Sequence, residues 1–163
     1  MEFGGAVMCV EAAGPLHCVD PADANLAARH QVPLLITAAS IDHVERIARQ
    51  VHAACGRAAR PLVTFRASGF FERPAPFALQ WRGLLDAARG GSILINALEE
   101  MSSGAQLLFC NALNRLLHGA LPQAPRVMTG TTVPLHARVT DGEFHEELFY
   151  RLNVIHLVGR DGR

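Results

Sequence analysis

Strand-length apolar runs alternate along this chain with helix-length amphipathic stretches, and that order of periods leaves few architectures open. LLIT at 34–37 and SILI at 92–95 are the clearest runs. A strand over Pro33–Thr37 leads into a helix over Asp42–Cys55, where Val44, Ile47, Ala48, Val51 and Ala54 recur at helical intervals. Asp42 is placed to cap it and Gly56 to stop it. A strand at Pro61–Phe65, a Pro-rich loop at Arg73–Phe77, a helix near Ala78–Arg89 and a strand at Ser92–Asn96 follow. The next helix, Ser103–His118, would bury Leu107, Leu108, Ala112, Leu113, Leu116 and Leu117. A strand at Arg126–Thr129, a helix at Gly142–Arg151 and a strand at Asn153–Leu157 complete the order. Strands alternating with helices predict an α/β fold, a parallel sheet covered on both faces.

At 163 residues the chain suffices for one ordinary domain around a single core. Half of it is apolar, 18% is charged and the formal net charge is zero, which argues against disorder and against a polyanion-binding surface. Nucleic acid is not expected as a direct partner. No apolar run approaches the roughly 20 residues that cross a bilayer, and MEFGGAVMCVEAAG lacks the basic start of a secretory signal. No membrane partner is expected. Cys9, Cys18, Cys55 and Cys110 show no CxxC spacing and the histidines are dispersed, so the reading is free thiols in a reducing cytoplasm and no metal site.

Three blocks carry a family resemblance. GEFHEELFYRLNVIHL, Gly142–Leu157, is similar to a G-x-F-R-x-D-L block that ends in R-L-N-V; Leu84–Leu117 resembles the stretch around a GGTLFLDEI Walker B strand; and Leu35–His52 aligns without gaps on LITGESGTGKELVARAIH. All three belong to the AAA+ domain of NtrC-type, sigma-54-interacting bacterial transcription activators. The resemblance implies a P-loop NTPase/AAA+-like three-layer sandwich with a five-stranded parallel sheet in the order 5-1-4-3-2, with Leu34–Ile36 central and Pro61–Phe65 at an edge. It covers about Pro33 to Leu157, which divides the chain into residues 1–32, of unclear role, and a core over 33–163. The helical lid and helix-turn-helix of the family are not expected in it.

The departures fall on the chemistry. A phosphate loop needs glycines whose backbone N–H groups wrap the phosphates, a lysine, and a hydroxyl for Mg²⁺. This chain has no lysine, so all 15 of its basic residues are arginines. The family's glycines fall on Ala38, Ile41 and His43 and its lysine on Val44, while Ser40 and Glu45 are kept. In the Walker B strand the Mg²⁺-positioning aspartate becomes Asn96 and the water-activating glutamate becomes Ala97. Thr132 stands where the sensor asparagine is usual. Of the two arginine-finger positions, the first is His145, and only the second keeps its arginine, Arg151, which could pair with Glu146 or Glu147. Between Arg66 and Arg82 no GAFTGA-type loop appears.

These losses imply a catalytically dead AAA+ module that acts in transcription regulation through protein–protein contact, its partner a second copy or an active AAA+ relative met through His145 and Arg151. Neither ATP nor Mg²⁺ is expected as a cofactor. The alternative is a non-hydrolysing nucleotide- or cyclic-dinucleotide-binding domain that uses Arg46, Arg49 or Arg151. Glu99 and Glu100 read as a solvated pair, Gly90-Gly91 as a turn, and Phe70, Phe71, Phe77 and Trp81 either as packing over the sheet edge or as a partner-binding patch.

Overall fold

In the computed structural model of the protein, residues 19–160 are described. The elements run α1 (Pro21–Arg29), β1 (Leu34–Thr37), α2 (Ile41–Ala54), β2 (Leu62–Arg66), α3 (Pro74–Ala87), β3 (Ser92–Asn96), α4 (Ser103–His118), β4 (Arg126–Thr131), α5 (Leu135–Thr140), α6 (Glu146–Leu152) and β5 (Ile155–Val158). Short 3₁₀ turns lie at Ala67–Gly69 and Leu98–Glu100.

All five strands pair in parallel, in the order β2-β3-β4-β1-β5. This is the 5-1-4-3-2 order that the resemblance implies. β4 is the middle strand, and β1 lies inside the sheet between β4 and β5. β3 and β4 are buried along their whole length, whereas the edge strand β2 keeps only Val63 fully covered. Buried parallel strands read as near-continuous apolar runs for this reason.

Alternation along each strand divides the core in two. Leu34, Ile36, Leu94, Met128 and Leu157 face α1 and α2, meeting Ala27, Val44, Ile47, Ala48 and Val51. Leu35, Val63, Ile93, Ile95 and Val127 face the other way, onto α3, α4, α5 and α6. The result is a three-layer α/β/α sandwich. There the aromatics are load carriers of the packing: Phe70 lies 5.2 Å from Phe77, 6.5 Å from Trp81 and 5.7 Å from Phe109, ring centre to ring centre. Phe71 points away and is 53% exposed, so the aromatic cluster is three of the four expected residues joined by Phe109 of α4 and by Phe65 of β2, 4.7 Å from Phe70.

Several boundaries differ from the sequence reading. Pro74 sits in the first turn of α3, where the missing N–H and fixed φ of proline suit a helix start, so the expected Pro-rich loop is helical from Pro74 onward. α2 is capped by Ser40 and not by Asp42, because the Ser40 hydroxyl accepts from the His43 N–H at 3.2 Å. On α4 the buried stripe is Ala105, Gln106, Phe109, Cys110 and Leu113; Leu107 and Leu117 are on the outer side. The expected helix at Gly142–Arg151 begins only at Glu146, and α5 before it has no counterpart in the sequence reading. α1 falls within residues 1–32 yet buries Ala24 and Ala27, the second in the core on the α2 side. Residues 1–18, with Cys9 and Cys18, lie outside the described residues. Between Arg66 and Ser92 the chain makes one 3₁₀ turn and one helix, with no inserted hairpin.

Candidate functional site

The C-terminal ends of β1, β3 and β4 meet the start of α2, and eight of the nine degenerate nucleotide-site positions fall on this junction, with Thr132 one residue past β4. Only Ala38, Ala39 and Ser40 join β1 to α2. The Ser40 hydroxyl takes the His43 N–H and the Ser40 carbonyl takes the Val44 N–H at 3.0 Å. A phosphate at a helix N-terminus is bound through such N–H donors when they are free. Here the His43 N–H is already committed within the chain, while the Val44 N–H makes the ordinary first bond of the helix.

Side chains occupy the space beside those donors. Val44 is fully buried, and a Cβ added at Gly130 would lie 2.2 Å from Val44 Cγ1 and 3.1 Å from Asn96 Oδ1. Val44 therefore touches the β4 backbone directly. Ala38, His43 and Ile47 gather at Gly159, whose added Cβ would lie 2.8, 3.1 and 3.0 Å from them. Ile41 opens the helix half-exposed, and Arg46 points to solvent.

The polar groups at this end largely answer one another. Asn96 Nδ2 donates to Glu45 Oε1 at 2.8 Å, and Arg49 donates to Glu45 Oε2 at 2.8 Å. Asn96 Oδ1 and His43 Nε2 are buried without a partner among the described residues. Ala97 follows in the left-handed region, at φ 54° and ψ 53°, a conformation that costs a residue with a Cβ about 1 kcal/mol. That turn carries the chain into the 3₁₀ segment and aims Leu98 into the core.

Glu99 and Glu100 diverge, and only the second fits the expected solvated pair. Glu99 accepts from Thr131 Oγ1 at 2.8 Å, from the Thr132 N–H at 3.1 Å and from the Thr132 hydroxyl. Burial opposes its ionisation, but these hydrogen bonds outweigh burial and hold its carboxyl below the usual range. Thr132, expected near a phosphate, instead clamps Glu99. Glu100 turns outward into a two-point ion pair with Arg66, at 2.7 and 2.5 Å.

His145 and Arg151 belong to the other layer, on α6, which packs on α4 and α5. The structure therefore does not bring them together with residues 38–45. His145 caps α6 through Nδ1, which accepts the Leu148 N–H at 3.4 Å, and its own N–H reaches Gln106 Oε1 at 2.8 Å. Arg151 spends its guanidinium on Glu147, at 3.1 and 2.6 Å, and on Asn114, at 3.0 Å. Phe144, Leu148, Phe149 and Leu152 of the same block are buried, so core packing accounts for much of its sequence.

Sequence reasoning passed over two buried basic groups. His52 Nε2 donates to the Arg60 carbonyl at 2.9 Å, which leaves Nδ1 to accept from the Ser92 hydroxyl at 2.9 Å. Burial lowers the His52 pKa, the Arg60 carbonyl opposes this, and Arg57 and Arg126 reinforce it. Arg126, where β4 begins, is the second; an arginine inside an otherwise apolar strand run was its only signal. Among the described residues, no group of three or more His, Cys, Asp or Glu could hold a metal ion, and no helix is long and apolar enough to cross a membrane.

Comparison with known proteins agrees with this fold. Residues 78–158 match the sigma-54 interaction domain. The chain is 29% identical to the regulatory protein AtoC of Escherichia coli K12, over 86% of this chain and 34% of that one. It is 30% identical to the response regulator PilR of Pseudomonas aeruginosa, over 80% of this chain and 34% of that one. The chain thus spans about a third of the length of these relatives. Among solved structures, NtrX from Brucella abortus in complex with ADP superposes with a TM-score of 0.69 at 24% identity, over 84% of this chain and 34% of that one. The P-loop NTPase domain of an E. coli sigma-54 activator gives 0.61 at 15% identity, over 83% of this chain and 96% of that one, a likeness of fold.

Proposed function

We propose, from the match of residues 78–158 to the sigma-54 interaction domain and the likeness to NtrC-type regulators, that this chain serves bacterial transcription control as an AAA+ module without ATP hydrolysis. The observation that carries this reading is Val44 seated on Gly130 where the phosphate lysine would stand. Around it, Asn96 gives its amide to Glu45, so the position that would hold Mg²⁺ offers an amide in place of a carboxylate. Ala97 has no group that could take a proton from water. Phosphoryl transfer rests on positioning and charge stabilisation by these parts together, and a single replacement elsewhere would not restore them.

Its action is then exerted through contact with another protein, an active AAA+ relative or a second copy. The α6 face supports this reading: Tyr150 is 61% exposed beside Glu146, Glu147 and Arg151. An inactive subunit seated in a ring by this face would slow the cycle of its neighbours. The absence of an inserted hairpin between β2 and β3 favours such an indirect role over direct engagement of sigma-54. The test is the ATPase rate of an active NtrC-type domain titrated with this protein. A fall in rate that saturates with added protein and weakens with Tyr150→Ala is expected. An unchanged rate, with no complex by sedimentation, would remove the proposal. Nucleotide binding without turnover would favour a nucleotide-holding domain instead.

A further inference from the structure

The opposite end of the sheet, where β1, β3 and β4 begin, holds a charge that the chain does not answer. Arg126 opens β4 at 2% exposure. Its Nε donates to the Val32 carbonyl at 3.2 Å, while both terminal guanidinium nitrogens are buried without a partner among the described residues. Arg57 approaches the same place from the turn after α2, giving Nε to Gln31 at 2.6 Å and one terminal nitrogen to the carbonyls of Gly91 and Ala124 at 3.2 and 2.8 Å. Neither arginine forms an ion pair with a carboxylate among the described residues. Burial draws the Arg126 guanidinium below its ordinary range; of the ionisable groups acting on it, Cys55 opposes this and Arg57 adds to it.

Both side chains line a recess of about 260 Å³, walled also by Gln31, Leu116, Leu117 and Pro125. Buried charges in proteins are ordinarily paired or hydrogen-bonded, because an uncompensated one is strongly unfavourable. The backbone does not supply the missing acceptor, since no carbonyl among the described residues comes within hydrogen-bond reach of the two terminal nitrogens of Arg126. Ligand pockets for drug-sized molecules run from about 300 to 1,000 Å³, so this recess suits something smaller.

We propose that this recess binds a small free oxyanion of the phosphate, sulfate or carboxylate class. Arg126 would present its two terminal nitrogens to two oxygens of such an ion in parallel, the geometry that makes guanidinium–oxyanion pairs specific; both nitrogens are closed to solvent in this structure, so the ion reaches them only as the wall of the recess gives way. Arg57 supplies the second positive charge. With a net charge of zero over the whole chain, the attraction is local to these two side chains and is not a property of the surface at large.

The experiment is thermal unfolding of the whole protein titrated with inorganic phosphate, sulfate and formate at constant ionic strength, with chloride as the reference salt. A saturable rise in Tm is expected, about 8 °C at a hundredfold excess over Kd for a chain of this size. Arg57→Gln should weaken the apparent affinity at least tenfold, Arg126→Met should abolish saturation, and Arg151→Ala should leave it intact. If Arg126→Met fails to fold, the native protein and Arg57→Gln decide the matter. A rise that never saturates, follows the salting-out order of the ions and is equal in native protein and Arg57→Gln would overturn the proposal. So would loss of the effect in Arg151→Ala, which would place the ion at α6.

Discussion

At the C-terminal end of the sheet Glu45 takes Asn96 and Arg49, Glu99 takes Thr131 and Thr132, and Val44 fills the space beside Gly130; at the N-terminal end Arg126 keeps two buried donors unanswered. Among the described residues, Asn96 Oδ1 and His43 Nε2 stay unpartnered at the first end and both terminal nitrogens of Arg126 at the second, Gln50 Oε1 and Asn153 Oδ1 being the other buried atoms so left. Open α/β sheets present ligand crevices outside the carboxyl ends of their strands. In this chain the end where a ligand is ordinarily sought is internally closed. The difference teaches that retention of a fold says little about which of its ends stays open for chemistry.

The contact between Val44 and β4 offers the largest test. Gly130→Ala should cost about 2–3 kcal/mol in denaturant unfolding, because a stiff β-branched side chain blocks the new methyl. Adding Val44→Ala should recover part of that loss by coupling between the two sites. Equal losses in the single and double variants would mean that Val44 does not fill the space.

The Glu99 clamp should matter less, about 1–2 kcal/mol for Glu99→Gln at pH 7, allowing for its partial exposure. Its folded pKa lies below the usual value of 4.5, so its contribution is complete above that value and is lost as pH falls through the depressed one. His52 separates the two ends on the pH axis. Its folded pKa is lowered from 6.5, so the unfolded chain takes up a proton first and stability begins to decline as pH falls below that value. His52→Gln should cost about 1 kcal/mol at pH 8 and flatten the His52 share of the decline around pH 6, leaving the share of His156, which burial also lowers from 6.5, and the loss below pH 4.5. A decline that begins only in the carboxylate range would contradict the buried neutral assignment of His52. Smallest of all, Glu100→Gln should leave the unfolding midpoint unchanged within error in moderate salt, since its pair with Arg66 is solvent-screened.

The sheet was legible because its periods are regular: LLIT and SILI are strand runs wherever they occur, and their alternation with amphipathic helices dictates parallel pairing. The site positions were located by resemblance, and the structure places eight of them at one junction. Their interactions were not legible. That Ser40 caps α2 while Asp42 does not depends on where the helix turns, and helix ends vary by a residue or two with no change in pattern. Glu99 read as solvated because nothing in the sequence says that Thr131 and Thr132 come to lie against it, 32 and 33 residues on. Arg126 showed in the sequence only as an arginine in an apolar strand run, and its isolation was not legible for the same reason, since it arises from Val32, Arg57 and Gly91 meeting only in the fold.

The closed end of the sheet is tested most directly by calorimetric titration of the protein with Mg-ATP and Mg-ADP to millimolar concentration, with phosphate release followed in the same samples. The account expects no saturable heat at the β1–α2 junction and no turnover above the buffer blank. A saturable nucleotide signal that disappears in Asn96→Ala, or turnover that follows the folded protein through purification and is lost in Arg151→Ala, would contradict it.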